Sequence, residues 1–112
     1  MFVIYHNPKC STSRKVLDQI RAAGHDPVVI DYLKAGWTRG ELWGLFAAAD
    51  VTPTEAMRTK NTPAEELGLI GADDETIIAA MTEHPILVER PIVAAPKGVR
   101  LCRPVERLDE LL

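Results

Sequence analysis

One of the two cysteines, Cys10, sits where an apolar run gives way to an amphipathic stretch. The segment Tyr5-His6-Asn7-Pro8-Lys9-Cys10-Ser11-Thr12-Ser13-Arg14 joins Phe2-Val3-Ile4-Tyr5 to a helical pattern that opens near Ser11. A cysteine at such a junction faces the free N–H groups of the helix's first turn. Those groups and the helix dipole favour an anion, whether a thiolate or a bound oxyanion. Helix N-termini and neighbouring cations lower a cysteine pKa to roughly 3.5–7.5 from about 8.5. His6, Lys9 and Arg14 supply the cations. The competing reading of a lone cysteine is a small buried hydrophobe, but Lys9, Ser11, Thr12, Ser13 and Arg14 are too polar for a core. Cys10 is therefore the candidate nucleophile and His6 the candidate residue that helps to ionise it. Ser11, Thr12 and Ser13 are candidate substrate ligands in the loop and first turn.

Arginine placement is the second signal. Arg58 lies in Ala56-Met57-Arg58-Thr59-Lys60-Asn61, Arg90 precedes Pro91, and Arg103 precedes Pro104. The last two fall at a strand start and near a strand end, where side chains reach the mouth of an α/β sheet. A guanidinium fork suits a tetrahedral oxyanion because it offers two parallel charge-assisted hydrogen bonds. Any one of these arginines could equally be a solvated surface residue, and it is their conjunction with Cys10 that points to an oxyanion site. His25, in a predicted turn, and His84, before Pro85, read as structural.

The elements that must position these residues follow from the pattern. Residues 2–5 read as a strand, and Asn7-Pro8 breaks it into a loop. Val16, Leu17, Ile20 and Ala23 recur at helical spacing, with Gly24 at the C-terminal end. Val28-Val29-Ile30 with Tyr32 makes a second strand, so the first unit is βαβ and parallel. A helical section follows at about 38–84. Thr38, Thr52 and Thr62 each stand three residues before a glutamate, the capping-box spacing, and Pro53 and Pro63 suit the first helical position. Asp73 or Asp74 caps a further helix that His84-Pro85 stops. Ile86-Leu87-Val88 returns to β structure, residues 92–102 read as a hairpin turning at Pro96-Lys97-Gly98, and Pro104 opens a last helix with Val105, Leu108 and Leu111 inward. The layout is βαβ, a helical insert, then ββα: an α/β domain with a thioredoxin-like mixed sheet flanked by helices, spanning residues 1–112. In that fold Pro91 falls where a cis-proline stands beside the active cysteine.

Composition limits the function classes. At 112 residues, 46% hydrophobic and 26% charged, the chain reads as one ordinary soluble domain. A formal net charge of −3 gives no basic field for nucleic acid or an acidic membrane surface. No window approaches the 18 or so apolar residues of a spanning helix, and no signal peptide opens the chain. Cys10 and Cys102 alone make neither a disulfide framework nor a cysteine-rich zinc site. A cytoplasmic protein with no metal and no tightly bound cofactor is expected, and nothing demands more than a monomer. Cys102 alternates along a strand without a helix terminus, which favours a packed bystander over a resolving thiol.

Along nearly its whole length the sequence resembles the glutaredoxin-coupled arsenate reductases of the ArsC type. The resemblance is carried by the residue 5–14 segment, Glu66-Leu67-Gly68-Leu69, His84-Pro85-Ile86-Leu87, Glu89-Arg90-Pro91-Ile92-Val93 and Arg100-Leu101-Cys102-Arg103-Pro104. It implies that the Cys10 thiolate attacks arsenate to form a covalent thio-arsenate adduct. Glutathione then enters as co-substrate, and glutaredoxin completes reduction to arsenite. It also implies that Arg58, Arg90 and Arg103 are the arginine trio that holds the oxyanion, Arg58 lying eleven residues before Leu69 in the family's register. Two departures from neighbouring classes sharpen this. Ser13 stands where thioredoxin-type enzymes and Spx-type regulators carry a second cysteine, so reducing power must come from outside the loop. Val16 breaks the Cys-x5-Arg spacing of phosphatase-like arsenate reductases. The alternatives are a glutathione-dependent thiol reductase that does not act on arsenate, and a regulator that binds RNA polymerase as Spx-type proteins do.

Overall fold

The computed structural model describes all 112 residues. The chain forms two compact units, one of Met1–Ala35 with Arg90–Leu112 and one of Gly36–Glu89. No helix is long and apolar enough to cross a membrane.

The first unit is built on a four-stranded mixed sheet. Its strands are β1 (Val3–His6), β2 (Val28–Asp31), β3 (Ile92–Ala95) and β4 (Gly98–Leu101), in the order β2-β1-β3-β4. β1 runs parallel to β2, with Val3 opposite Val28, and antiparallel to β3, with Tyr5 opposite Ile92. β3 and β4 form a hairpin whose two-residue turn, Pro96-Lys97, lies between the paired Ala95 and Gly98. α1 (Ser11–Ala22) crosses from β1 to β2 and buries Val16, Leu17 and Ile20. These pack with Ile4, Val93, Cys102 and Leu108 into one core. α1 ends at Gly24, whose φ of +91° suits glycine, with the N–H of His25 returning to the Ile20 carbonyl at 3.2 Å. His25 stacks on Phe2 with ring centroids 4.2 Å apart.

Two boundaries in this unit differ from the sequence expectation. Tyr32 belongs to a one-turn helix, α2 (Tyr32–Ala35), and not to β2. The Asp31 carboxylate accepts the Leu33 N–H at 3.1 Å, a local turn that diverts the chain from the strand. The last helix is a 3₁₀ segment, Val105–Glu110, with Pro104 as its N-cap. The N–H groups of Arg107 and Leu111 reach back three residues, to Pro104 and Leu108. Leu108 and Leu111 are buried as their spacing predicts.

The second unit is helical: α3 (Arg39–Ala49), α4 (Pro53–Ala56) and α5 (Asp74–Glu83), with a 3₁₀ turn at Pro85–Leu87. Thr38 and Thr52 both close complete capping boxes, with Glu41 and Glu55, and the Asp73 side chain caps α5. α5 packs against α3, α4 and the 3₁₀ turn, and its Ile77, Ile78 and Met81 are fully buried. Thr62-Pro63-Ala64-Glu65, expected to open a helix, makes only a single turn. It is closed by the Gly68 and Leu69 N–H groups on the Glu65 and Ala64 carbonyls, and Gly68 at φ +70° ends it before a second turn can form. Ile86-Leu87-Val88 is not a strand either. Pro85 starts a 3₁₀ turn there, and only Val88 pairs, in an isolated antiparallel bridge with Met57.

Candidate active site

The local chain path puts Cys10 at the N-cap of α1, with extended backbone angles (φ −96°, ψ 122°) and its carbonyl accepting the Arg14 N–H at 3.0 Å. The loop from β1 is tied down by its own polar groups. The buried Asn7 offers its side-chain oxygen to the Lys9 N–H and its carbonyl to the Cys10 N–H, both at 3.0 Å. Arg14 folds back to donate to the Pro8 carbonyl at 2.8 Å. Nothing in the composition of the loop singled out Asn7. The available signal was its place before proline at a strand end, where an asparagine side chain organises the following turn.

Ser13 is fully buried, and its hydroxyl oxygen accepts the Asn7 N–H at 3.1 Å and lies 2.7 Å from His6 Nδ1. This changes the expected part of two residues. The Ser13 hydroxyl, a candidate substrate ligand by sequence, is committed to holding the loop on α1. His6, a candidate cation beside the thiol, is buried at the end of β1. Its pKa is held below the ordinary histidine value chiefly by burial, with Asp31 opposing and Arg21 and Arg14 adding to the shift. A ring so placed favours its neutral form, and its polar contact is with Ser13. Thr12 is half-buried and Ser11 exposed at the start of the helix.

Cys10 is half-buried. Burial is the largest single influence on its thiol and pushes the pKa up. The Arg90 guanidinium, by hydrogen bonding and by charge, and the backbone N–H groups of Ser13 and Thr12 together outweigh it, and the net shift is downward. The sulfur closes no capping hydrogen bond with the first turn, so these amides act as oriented dipoles facing the N-cap. Arg103 lies on the same side: its Nη1 is 4.0 Å from the Cys10 sulfur and donates to the Arg90 carbonyl at 3.0 Å. The Arg90–Pro91 peptide is cis, at the position singled out by sequence, and Arg103–Pro104, which was not, is cis as well. Arg90 Nε and Nη1 are buried and find no hydrogen-bond acceptor in the protein. Buried guanidinium donors without acceptors are costly, and their fork geometry suits an oxyanion.

Arg58 belongs to the second unit. Its Nη1 lies 3.1 Å from a Glu89 carboxylate oxygen, and its Nε donates to the Lys60 carbonyl at 3.1 Å. Cys102 is fully buried and its thiol is pushed up to about 12, mainly by burial. It is a thiol at neutral pH, without the thiolate character that attack or resolution needs. No cluster of three or more His, Cys, Asp and Glu side chains is placed to hold a metal ion.

The ArsC family profile matches residues 5–111. The chain is 60% identical over 114 residues to the arsenate reductase ArsI2 of Synechocystis, an alignment that covers all of this chain and 81% of that protein. It is 46% identical over 111 residues to the arsenate reductase of Escherichia coli, covering 97% of this chain and 79% of that protein. Among solved structures, the arsenate reductase from Vibrio cholerae superposes with a TM-score of 0.93 at 40% identity, covering 99% of this chain and 97% of that one. With this profile match, these identities and the thioredoxin-like sheet around Cys10, the chain belongs to the ArsC family.

Proposed function

We propose that this protein reduces arsenate to arsenite, with Cys10 as nucleophile and glutathione and a glutaredoxin as sources of electrons. The observation that carries the reading is a thiol biased toward thiolate at a helix N-cap, beside the unsatisfied buried donors of Arg90 and the guanidinium of Arg103. Arsenate is an anion at neutral pH and repels a thiolate unless its charge is neutralised. Arg90 and Arg103 supply that neutralisation, and Arg58 is the third oxyanion ligand by its correspondence to the family's arginine trio. The N–H groups at the start of α1 favour the same anion, and the exposed Ser11 and half-buried Thr12 hydroxyls stand at that helix start.

The Cys10 thiolate attacks arsenic and displaces one oxygen as hydroxide, which leaves as water once protonated. The thiol of glutathione displaces a second oxygen, so that arsenic(V) bridges Cys10 and glutathione. A glutaredoxin thiolate then attacks the glutathione sulfur. The new S–S bond takes up that sulfur, the electron pair of the S–As bond stays on arsenic, and As(V) becomes As(III). Hydrolysis frees arsenite and the Cys10 thiolate, and a second glutathione regenerates glutaredoxin. No tightly bound cofactor enters the cycle. The need for reduced thiols and glutathione assigns the protein to the cytoplasm, where it works as a monomer.

The test is NADPH consumption coupled through glutathione, glutaredoxin and glutathione reductase. Turnover is expected to require arsenate, glutathione and glutaredoxin together, to vanish in Cys10→Ser, and to fall in kcat/KM on the order of 10²-fold in Arg90→Ala. Arsenate-independent turnover on a small disulfide, with no gain on adding arsenate, would overturn the assignment in favour of a thiol reductase.

A further inference from the structure

We propose that Glu89 sets the affinity of this protein for its oxyanion, acting as an internal anion that competes with substrate for the guanidinium of Arg58. The inference rests on the reading of Arg58 as an oxyanion ligand and goes beyond it to a residue that the reaction scheme does not use.

The two residues are held together by backbone as well as by charge. The Met57–Val88 bridge places Arg58 and Glu89 at the positions that follow the bridge partners. The Arg58 N–H donates to the Leu87 carbonyl at 2.7 Å, and the Glu89 N–H to the Ala56 carbonyl at 2.8 Å. The side chains then meet with Arg58 Nη1 and Glu89 Oε1 at 3.1 Å, and they are only 14% and 22% exposed. A pair so enclosed is screened by water and salt far less than a surface pair. With Nε on the Lys60 carbonyl, two of the three guanidinium nitrogens are engaged, one of them by a carboxylate.

An arginine fork grips a tetrahedral oxyanion through two parallel N–H bonds. Arg58 offers its Nη2 end to such a ligand, but its positive charge is already partly neutralised. An arsenate anion that reaches this guanidinium also meets the like charge of Glu89, a repulsion that a neutral amide in the same place would not exert. The sign of the effect separates competition from support. A residue that merely props up Arg58 weakens substrate binding when lost, whereas a competitor strengthens it.

The experiment measures the KM for arsenate and the inhibition constant of inorganic phosphate in the coupled assay. The proteins are the wild type, Glu89→Gln, Glu89→Ala, Arg58→Ala and the Glu89→Gln/Arg58→Ala double variant, each checked for native near-UV circular dichroism. Glu89→Gln is expected to lower both constants about three- to tenfold, the scale of one partly enclosed charge interaction. Glu89→Ala is expected to shift them in the same direction, and the effect of Glu89→Gln to shrink where Arg58 is absent. An unchanged or raised KM in both folded Glu89 variants, beside a raised KM in Arg58→Ala, overturns the competition and leaves Arg58 a ligand. An Arg58→Ala variant with unaltered arsenate KM and phosphate inhibition removes the ligand role itself, and the proposal with it.

Discussion

The chemistry of Cys10 is decided by a contest between burial and oriented charge. Enclosure alone would push the thiol pKa up; the Arg90 guanidinium and the first-turn amides outweigh it, and the net shift is downward. His6 contributes differently. It contacts the Ser13 hydroxyl, which in turn accepts the Asn7 N–H of the loop before Cys10. A pH signature follows. Because burial depresses the folded-state pKa of His6 below 6.5, the unfolded chain binds more protons in the window beneath that value. The stability contributed by the neutral ring is therefore complete above about pH 6.5 and lost as the pH falls through the folded-state value. Urea midpoints measured at pH 5 and pH 7.5 should fall toward the acid side in the wild type, and His6→Gln should flatten that dependence. The N-cap placement of Cys10 was legible in the sequence because its signals are local: a strand, a breaker, polar flanks and a helix start. The lowered pKa of His6 was not, since neighbouring cations can be read from the chain but the burial of one strand-end side chain cannot.

The elements divide between those whose signals are complete and those whose signals stop short. Thr38 and Thr52 each combine a side-chain cap with a glutamate three residues on, and both boxes close. Thr38→Ala should cost about 1 kcal/mol of stability, read as a shift in the denaturation midpoint at constant slope. Thr62 carries the same letters but is followed by Gly68 and Gly71, both at positive φ, and the turn has no room to become a helix. The closing 3₁₀ segment was invisible for another reason: Leu108 and Leu111 lie on one face at a spacing of three whether bonds run back three residues or four. Cys102 belongs at this scale too, as a core atom between the sheet and that last segment. Cys102→Ala should lose about 1 kcal/mol, comparable to removing one buried methyl-sized group, and retain full turnover. Loss of activity in a folded Cys102→Ala variant would contradict the bystander role.

For the molecule as a whole, the mixed sheet explains why distant parts of the chain serve one cysteine. β1 lies at the centre of the sheet, between β2 and β3, and its C-terminal end delivers the Cys10 loop. Arg90 enters β3 and Arg103 leaves β4, so the hairpin brings both arginines to that loop from about 80 and 93 residues away. The order of elements and their alternation make this arrangement legible in the sequence. The orphaned donors of Arg90 and the Arg58–Glu89 pair are not legible there, because hydrogen-bond partners across the fold leave no trace in spacing.

The central claim is that Cys10 is a thiolate held at an oxyanion site. The most direct measurement is the rate of Cys10 alkylation by iodoacetamide across pH, in Cys102→Ala protein, with and without arsenate. A titration midpoint below the ordinary thiol value of about 8.5, together with marked slowing by arsenate, is the predicted result. A midpoint at or above that value, with alkylation indifferent to arsenate, would contradict the account.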